Sequence, residues 1–293
     1  MGELDLIRWI RARIPRRRPG VEVDSGDDAA VVRLGKGKVL FKTDSVIDGV
    51  HFDGRTARPE EIGHKAIGRC LSDLAAMGGI PTFAVVAMMV PKTAREGWIQ
   101  RVMVGMERTA RAFDTAIVGG DLKSHKGKLA IAVAMLGRLE GPPVLRSGAR
   151  PGDAIAVTGP LGGSILGKHL RFTPRVREAL SLRRRFQLHA MIDLSDGLAT
   201  DLAHLCEESG VGATIDAARV PIAPAARRLG GDPLQHALAD GEDYELLFTV
   251  PAREAHRLPH VIGRVEKQGG LRLRRPDGRQ EPIAVRGWEH RWA

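Results

Sequence analysis

One interruption constrains this chain more than any other feature. Between Leu139 and Pro151 it reads LEGPPVLRSGARP. Prolines there remove backbone donors and fix φ, and together with the glycines they break both the helical and the strand period. No helix or strand runs through such a segment, and it marks the best candidate for a domain boundary. At about 100–200 residues per domain, a length of 293 residues fits two units, residues 1–140 and residues 150–293.

Each half alternates between periods of 3.6 and 2. The first opens with helical spacing at Leu4, Ile7, Ile10 and Ile14, then short strand-like runs at Ala29–Leu34 and Val39–Lys42. A helix is predicted from Pro59 to Gly78, with proline at its first position, Glu60 and Glu61 in its first turn and Gly78-Gly79 at its end. Strand, helix, strand and strand follow at Phe83–Val90, Ala94–Phe113, Thr115–Val118 and Leu129–Leu136. The second half reads as a strand at Asp153–Val157, a helix from Gly162, a helix at Pro174–Leu188, a strand at Ala190–Ile192 and a helix at Leu198–Ser209. Short strands follow at Ala213–Ile215, Glu245–Thr249, Val261–Val265 and Leu271–Arg274. Alternation of this kind predicts an α/β fold with mixed sheets.

Composition excludes several classes. The apolar runs Thr82–Val90 and Leu129–Leu136 are about half the ~20 residues that span a bilayer, and the N-terminus lacks the apolar core of a signal peptide. A cytoplasmic location is expected, with no membrane partner. Cys70 and Cys206 stand alone in helix-like sequence and read as small buried hydrophobes, not as disulfide or zinc sites. The net charge of +10 raises the alternative of a basic nucleic-acid-binding protein. Its basic residues, 35 Arg and 10 Lys, are nevertheless spread along the chain, with triplets only at Arg16–Arg18 and Arg183–Arg185. Aromatics make up 4%, which leaves few stacking platforms. No nucleic-acid partner is expected.

The informative charge is acidic and local. Asp27, Asp28, Asp44, Asp121, Asp193 and Asp196 each read as lying at the edge of an element. Asp73, in Leu71-Ser-Asp-Leu-Ala-Ala-Met, sits in apolar sequence near a helix C-terminus, where the macrodipole disfavours negative charge. It needs a cation, either Lys65 or Arg69 or a metal. Asp196 is a candidate N-cap as well as a candidate ligand. If the seven converge, their repulsion calls for cations, and oxygen-only donors select Mg²⁺ over zinc. Gly162-Gly-Ser-Ile-Leu-Gly-Lys-His matches the phosphate-binding G-x-x-x-x-G-K but carries His169 where the loop needs Ser or Thr. Protein-kinase signatures are absent.

In order along the chain, Gly26-Asp-Asp-Ala-Ala, Thr43-Asp-Ser-Val-Ile-Asp-Gly-Val-His51-Phe, Leu71-Ser-Asp-Leu-Ala-Ala-Met-Gly, Val118-Gly-Gly-Asp121, Ile192-Asp-Leu-Ser-Asp-Gly and Gly241-Glu-Asp-Tyr-Glu-Leu resemble the thiamine-monophosphate kinase family. The resemblance runs from Glu3 to Trp288. It implies a two-domain fold like that of aminoimidazole ribonucleotide synthetase, with N-terminal domains paired into a barrel in a homodimer. It also implies ATP-dependent phosphorylation of thiamine monophosphate. By the same resemblance Asp28, Thr43, Asp44, Asp73, Asp121, Asp193 and Asp196 look like Mg²⁺ ligands. Gly120, Asp121, Arg146 and Ser195 look like nucleotide contacts, and His51, Glu242 and Trp288 look like substrate contacts, Glu242 complementing the charge of a cationic heterocycle. Two positions depart from the family pattern: Leu122 replaces the Thr after Gly-Gly-Asp, and Phe113 stands near the place of a nucleotide-contacting Tyr. The alternative is another ATP-dependent enzyme of the same superfamily, such as a synthetase or a hydrogenase-maturation relative. The phosphate acceptor is itself anionic, so no residue is expected to act as a general base.

Overall fold

The computed structural model describes residues 9, 19–24 and 26–285. The N-terminal helix expected over Leu4–Ile14 (Trp9 apart), the Arg16–Arg18 triplet and Trp288 lie outside the described residues.

The first half contains β1 (Val21–Val23), β2 (Ala30–Leu34), β3 (Gly37–Ile47), α1 (Pro59–Ala76), β4 (Ile80–Pro91), α2 (Glu96–Ala112), β5 (Ala116–His125) and β6 (Ala130–Arg138). Its six strands form one sheet in the order β1-β2-β3-β6-β4-β5, in which β4 and β5 run parallel and the other pairs antiparallel. The second half contains β7 (Ala154–Val157), α3 (Lys168–Arg171), α4 (Val176–Arg185), β8 (Ala190–Asp193), α5 (Leu198–Ser209), β9 (Gly212–Asp216), α6 (Pro233–Ala239), β10 (Leu246–Val250), β11 (Val261–Glu266), β12 (Gly270–Arg274) and β13 (Gln280–Pro282). These strands form a seven-stranded sheet, β13-β12-β9-β11-β7-β10-β8, with one parallel pair, β12 with β9.

Helix α1 starts where its sequence predicts, with Pro59 at its first position and the Glu61 carboxylate accepting the Arg58 N–H at 3.1 Å. It ends at Gly78, whose φ of 67° few side chains tolerate. Its residues are buried on nearly every side, because the helix lies between both halves. The hydrophobic cluster around Ile62, Ile67, Leu71 and Leu74 continues into Met191, Leu246 and Phe248 of the second sheet. On one flank α2 approaches so closely that a Cβ on Gly63 would collide with the Val102 carbonyl, and one on Gly105 with the backbone of Glu60.

The strand period sorts the first sheet into two faces. Leu40 and Val46 of β3 and Ala84, Val86 and Met88 of β4 are buried under α1 and α2. Phe41, Thr43 and Ser45 point the other way, alongside Phe83 and Val85, which are 50% and 44% exposed. Strand β5 extends this outward face, since Ala87 is in register with Asp121.

Several sequence expectations change. Asp44 and Asp121 lie inside β3 and β5, not at strand ends. The reading of β3 stopped at Lys42 because its inward positions carry ions, Lys42 and Asp44, whose partners come from α1. In β5 the glycines are strand residues: Gly120 packs so tightly that a Cβ would strike the Val86 carbonyl oxygen. The helix expected from Gly162 is a 3-10 turn at Ser164–Leu166 followed by the four-residue α3, separated by Gly167 with φ 123°. β1, α6 and β13 were not expected.

Candidate active site

Three carboxylates meet between the halves. Asp28 precedes β2, Asp73 sits in the last turn of α1 and Asp193 ends β8. One oxygen from each lies within 4.8 Å of the others. All three are buried, at 2%, 8% and 4% exposure. Two have a cationic partner and the third a hydroxyl: Arg146 Nη2 donates to Asp28 Oδ1 at 2.6 Å, Lys42 Nζ to Asp73 Oδ1 at 2.9 Å, and Ser72 Oγ to Asp193 Oδ2 at 2.5 Å. Lys42, not Lys65 or Arg69, is the cation that Asp73 requires. Burial pushes Asp73 well above the usual carboxylate range against the pull of Lys42, and burial with the Asp28 charge pushes Asp193 up to about 7. Asp28 Oδ2 and Arg146 Nε are buried without a partner among the described residues. A crowded, oxygen-only donor set with an unsatisfied lone pair fits a hard divalent cation such as Mg²⁺.

From this cluster α1 leads to a second feature. Asp73, Arg69 and Lys65 recur every four residues and so share one face of the helix. Arg69 holds Asp44 through Nε and Nη2 at 2.8 and 3.2 Å, and its Nη1 is 3.7 Å from Glu242 Oε1. Lys65, fully buried, donates to the His51 carbonyl at 2.6 Å and to the two Glu242 oxygens at 2.7 and 2.6 Å. Beyond it opens a cavity of about 1050 Å³ lined by His51, Arg58, Lys128, Leu166, His169 and Glu242, among others.

His51 is electrically quiet. Its Nδ1 accepts the Ile47 N–H at 3.1 Å, which places the proton of the neutral ring on Nε2. Burial, and next the nearby Arg69 and Lys65, lower its pKa to about 4. The neighbouring segment 241–245 is held by backbone bonds to 194–195: Glu242 N–H donates to the Ser195 carbonyl at 2.7 Å and Tyr244 N–H to that of Leu194 at 2.9 Å. Gly241, Glu242 and Tyr244 all have positive φ, 71°, 53° and 51°. For the two non-glycines such a backbone persists only when surrounding contacts over-determine it.

The glycine-rich decoy resolves here. Gly162 N–H donates to Asp243 at 2.9 Å and Gly163 N–H to Asp240 at 2.8 Å, while Lys168 Nζ contacts Glu245 at 3.0 Å and Asp243 at 3.3 Å. The amides and lysine that would cradle a phosphate are engaged by the chain's own carboxylates.

The remaining expected residues are dispersed. Thr43 and Asp121 stand on the outward sheet face, away from Asp44 and α1; Thr43 Oγ1 donates to the Val133 carbonyl at 3.1 Å, and Asp121, 60% exposed, accepts from Lys123 at 2.9 Å. Gly120 neighbours Asp121 in β5, and Phe113 follows α2, packed at the margin of the core. Asp196 is not the N-cap of α5; that position is Gly197, and the Asp196 N–H donates to the buried Asp201 at 3.0 Å. Sequence reasoning missed Lys42 and the partners of Lys65 and Arg69. The four-residue spacing of Lys65, Arg69 and Asp73 within an apolar helix signals that these three share a face, but not which residues they meet.

Comparison with known proteins adds an independent line. Residues 26–139 match the N-terminal domain, and residues 150–275 the C-terminal domain, of AIR synthase related proteins. A thiamine-monophosphate kinase of Rhodopirellula baltica is 37% identical over 98% of this chain and 97% of its own length. The chain belongs to the thiamine-monophosphate kinase family. Within that family, the structure of AaThiL complexed with AMPPCP and TMP superposes with a TM-score of 0.87 at 32% identity, covering 99% of this chain and 97% of that one. Hydrogenase maturation protein HypE in complex with ATP, 23% identical with a TM-score of 0.71 over 86% of this chain and 87% of its own, shares the fold alone.

Proposed function

We propose that the chain transfers the γ-phosphoryl group of ATP to thiamine monophosphate, yielding thiamine diphosphate and ADP. The observation that carries this reading is the arrangement along α1: a buried three-carboxylate cluster at one end and the His51–Glu242 cavity at the other. It occurs in a chain that matches AaThiL complexed with AMPPCP and TMP over 99% of its length.

In this reading an oxygen of the substrate's phosphate attacks the γ-phosphorus in line. The new P–O bond forms as the bond to the β-phosphate oxygen breaks, and ADP carries away the charge. The attacking phosphate is already ionised near neutral pH, so the site needs no general base. His51, neutral with its proton on Nε2, serves as a hydrogen-bond donor. Asp28, Asp73 and Asp193 would hold Mg²⁺, which would supply neutralisation of phosphate charge. Asp44 and Asp196 are the further ligand candidates from the same chain, whereas Thr43 and Asp121, on the outward face, would act as ligands only across the pairing of two copies. Arg146 stands at the cluster as a fixed positive charge. Gly120, Ser195 and Phe113 remain candidate nucleotide contacts, and Trp288 a substrate contact.

The finer organisation follows the same reading. Residues 1–140 form the ATP- and Mg²⁺-binding, dimerising domain, and residues 150–293 complete the site. Two copies pair through the outward sheet face carrying Phe41, Phe83 and Val85, closing a barrel. That pairing covers Thr43 and Asp121 and joins them to a shared site. Among the described residues no helix is long and apolar enough to cross a membrane, in keeping with a cytoplasmic enzyme.

ADP release measured with and without thiamine monophosphate tests the reading; release that ignores the acceptor refutes it. Asp121→Asn, at an exposed position, is expected to lower turnover by about 100-fold or more while the melting temperature stays within a few degrees.

A further inference from the structure

We infer that Lys65 is a positioning residue of the substrate cavity, clamping the Glu242 carboxylate from one half of the chain to the His51 carbonyl from the other. The inference rests on the functional reading above and adds a residue that reading does not use. Lys65 has no exposed surface, so it touches neither water nor substrate. An ammonium offers three donors, and all three are spent, on His51 O, Glu242 Oε1 and Glu242 Oε2 at 2.6–2.7 Å.

The two partners are the ends of otherwise independent segments. His51 belongs to the turn after β3, and Glu242 to the segment before β10, 177 residues along the chain from Lys65. Glu242 sits in left-handed backbone, as does Tyr244, whose ring stacks on Phe172 at 3.8 Å while its hydroxyl donates to Glu242 Oε1 at 3.3 Å. The clamp is what a strained backbone of this kind needs in order to persist. It also changes the role of Glu242. Its charge is balanced by Lys65 and, 3.7 Å away, by Arg69, so Glu242 meets a ligand as a fixed hydrogen-bond acceptor and not as a bare counter-charge.

Steady-state kinetics on the full chain with both substrates tests the clamp. Lys65→Met is expected to raise the KM for thiamine monophosphate about tenfold or more while the KM for ATP and kcat stay within about threefold. The double variant Lys65→Met/Glu242→Gln leaves no unpaired charge in the cluster. It is expected to show the same selective rise, no larger than the single variant's. A purely structural role moves both KM values together, and that result, or an unchanged KM for thiamine monophosphate, overturns the clamp. Should Lys65→Met lack a cooperative melting transition, the double variant decides by the same ratio. Wild-type turnover that ignores thiamine monophosphate defeats the functional reading; wild-type dependence with unaltered variants defeats the clamp alone.

Discussion

At the scale of single residues, what matters is which charges the fold leaves unbalanced. Asp73 stood out in the sequence because an acid in an apolar context demands a reason, and Asp28 and Asp193 because they read as lying at element edges, but Lys42, the cation that Asp73 pairs with, did not. Lys42 reaches Asp73 across 31 residues and Lys65 reaches Glu242 across 177, distances that no local pattern encodes. His51 gives a direct test. Its folded pKa of about 4 lies below the ordinary histidine value of 6.5, so between those limits the unfolded chain binds a proton that the folded chain does not. Stability contributed here is complete above pH 6.5 and declines as the pH falls toward 4. Ring ¹⁵N chemical shifts should show His51 neutral, with the proton on Nε2, throughout pH 5–8; a midpoint near 6.5 would contradict the geometry.

At the scale of elements, α1 connects the cluster to the cavity. Its limits were legible because Pro59, Glu60, Glu61 and the glycines at 78 and 79 are local signals, read without knowledge of what packs around them. The close crossing with α2 was not legible, since a glycine inside a helical pattern does not announce the backbone that lies against it. Replacing Gly63 by Ala drives a methyl into the Val102 carbonyl and is expected to cost about 1–3 kcal/mol. Urea denaturation should register this as a lower midpoint at unchanged slope, and an unaltered midpoint would mean that the helices can separate at little cost. Strands β3 and β5 were under-read for a related reason: polar and glycine residues look like strand ends until the partner strands supply their registers.

At the scale of the whole molecule, one face of the first sheet stays open, with Phe41 and Phe83 at 51% and 50% exposure. Analytical ultracentrifugation is expected to find the wild-type chain at twice its 31.7 kDa, and Phe83→Glu to shift it to the monomer with loss of turnover, because burying an unpaired carboxylate in that face is costly. A monomeric, active wild type would refute the pairing. The sequence by itself determined the mixed α/β character and the family, and it pointed to a boundary between Leu139 and Pro151 and to an acidic site. Proline, glycine and hydrophobic period act locally, and motif order survives without coordinates. Only the tertiary structure decided which acids share a cluster, that Thr43 and Asp121 face away from Asp44, and that Lys65 joins the halves. Each of those depends on sheet register and on side chains meeting from distant parts of the chain, where the favourable energy of pairing two buried charges is set by geometry that no short stretch of sequence contains.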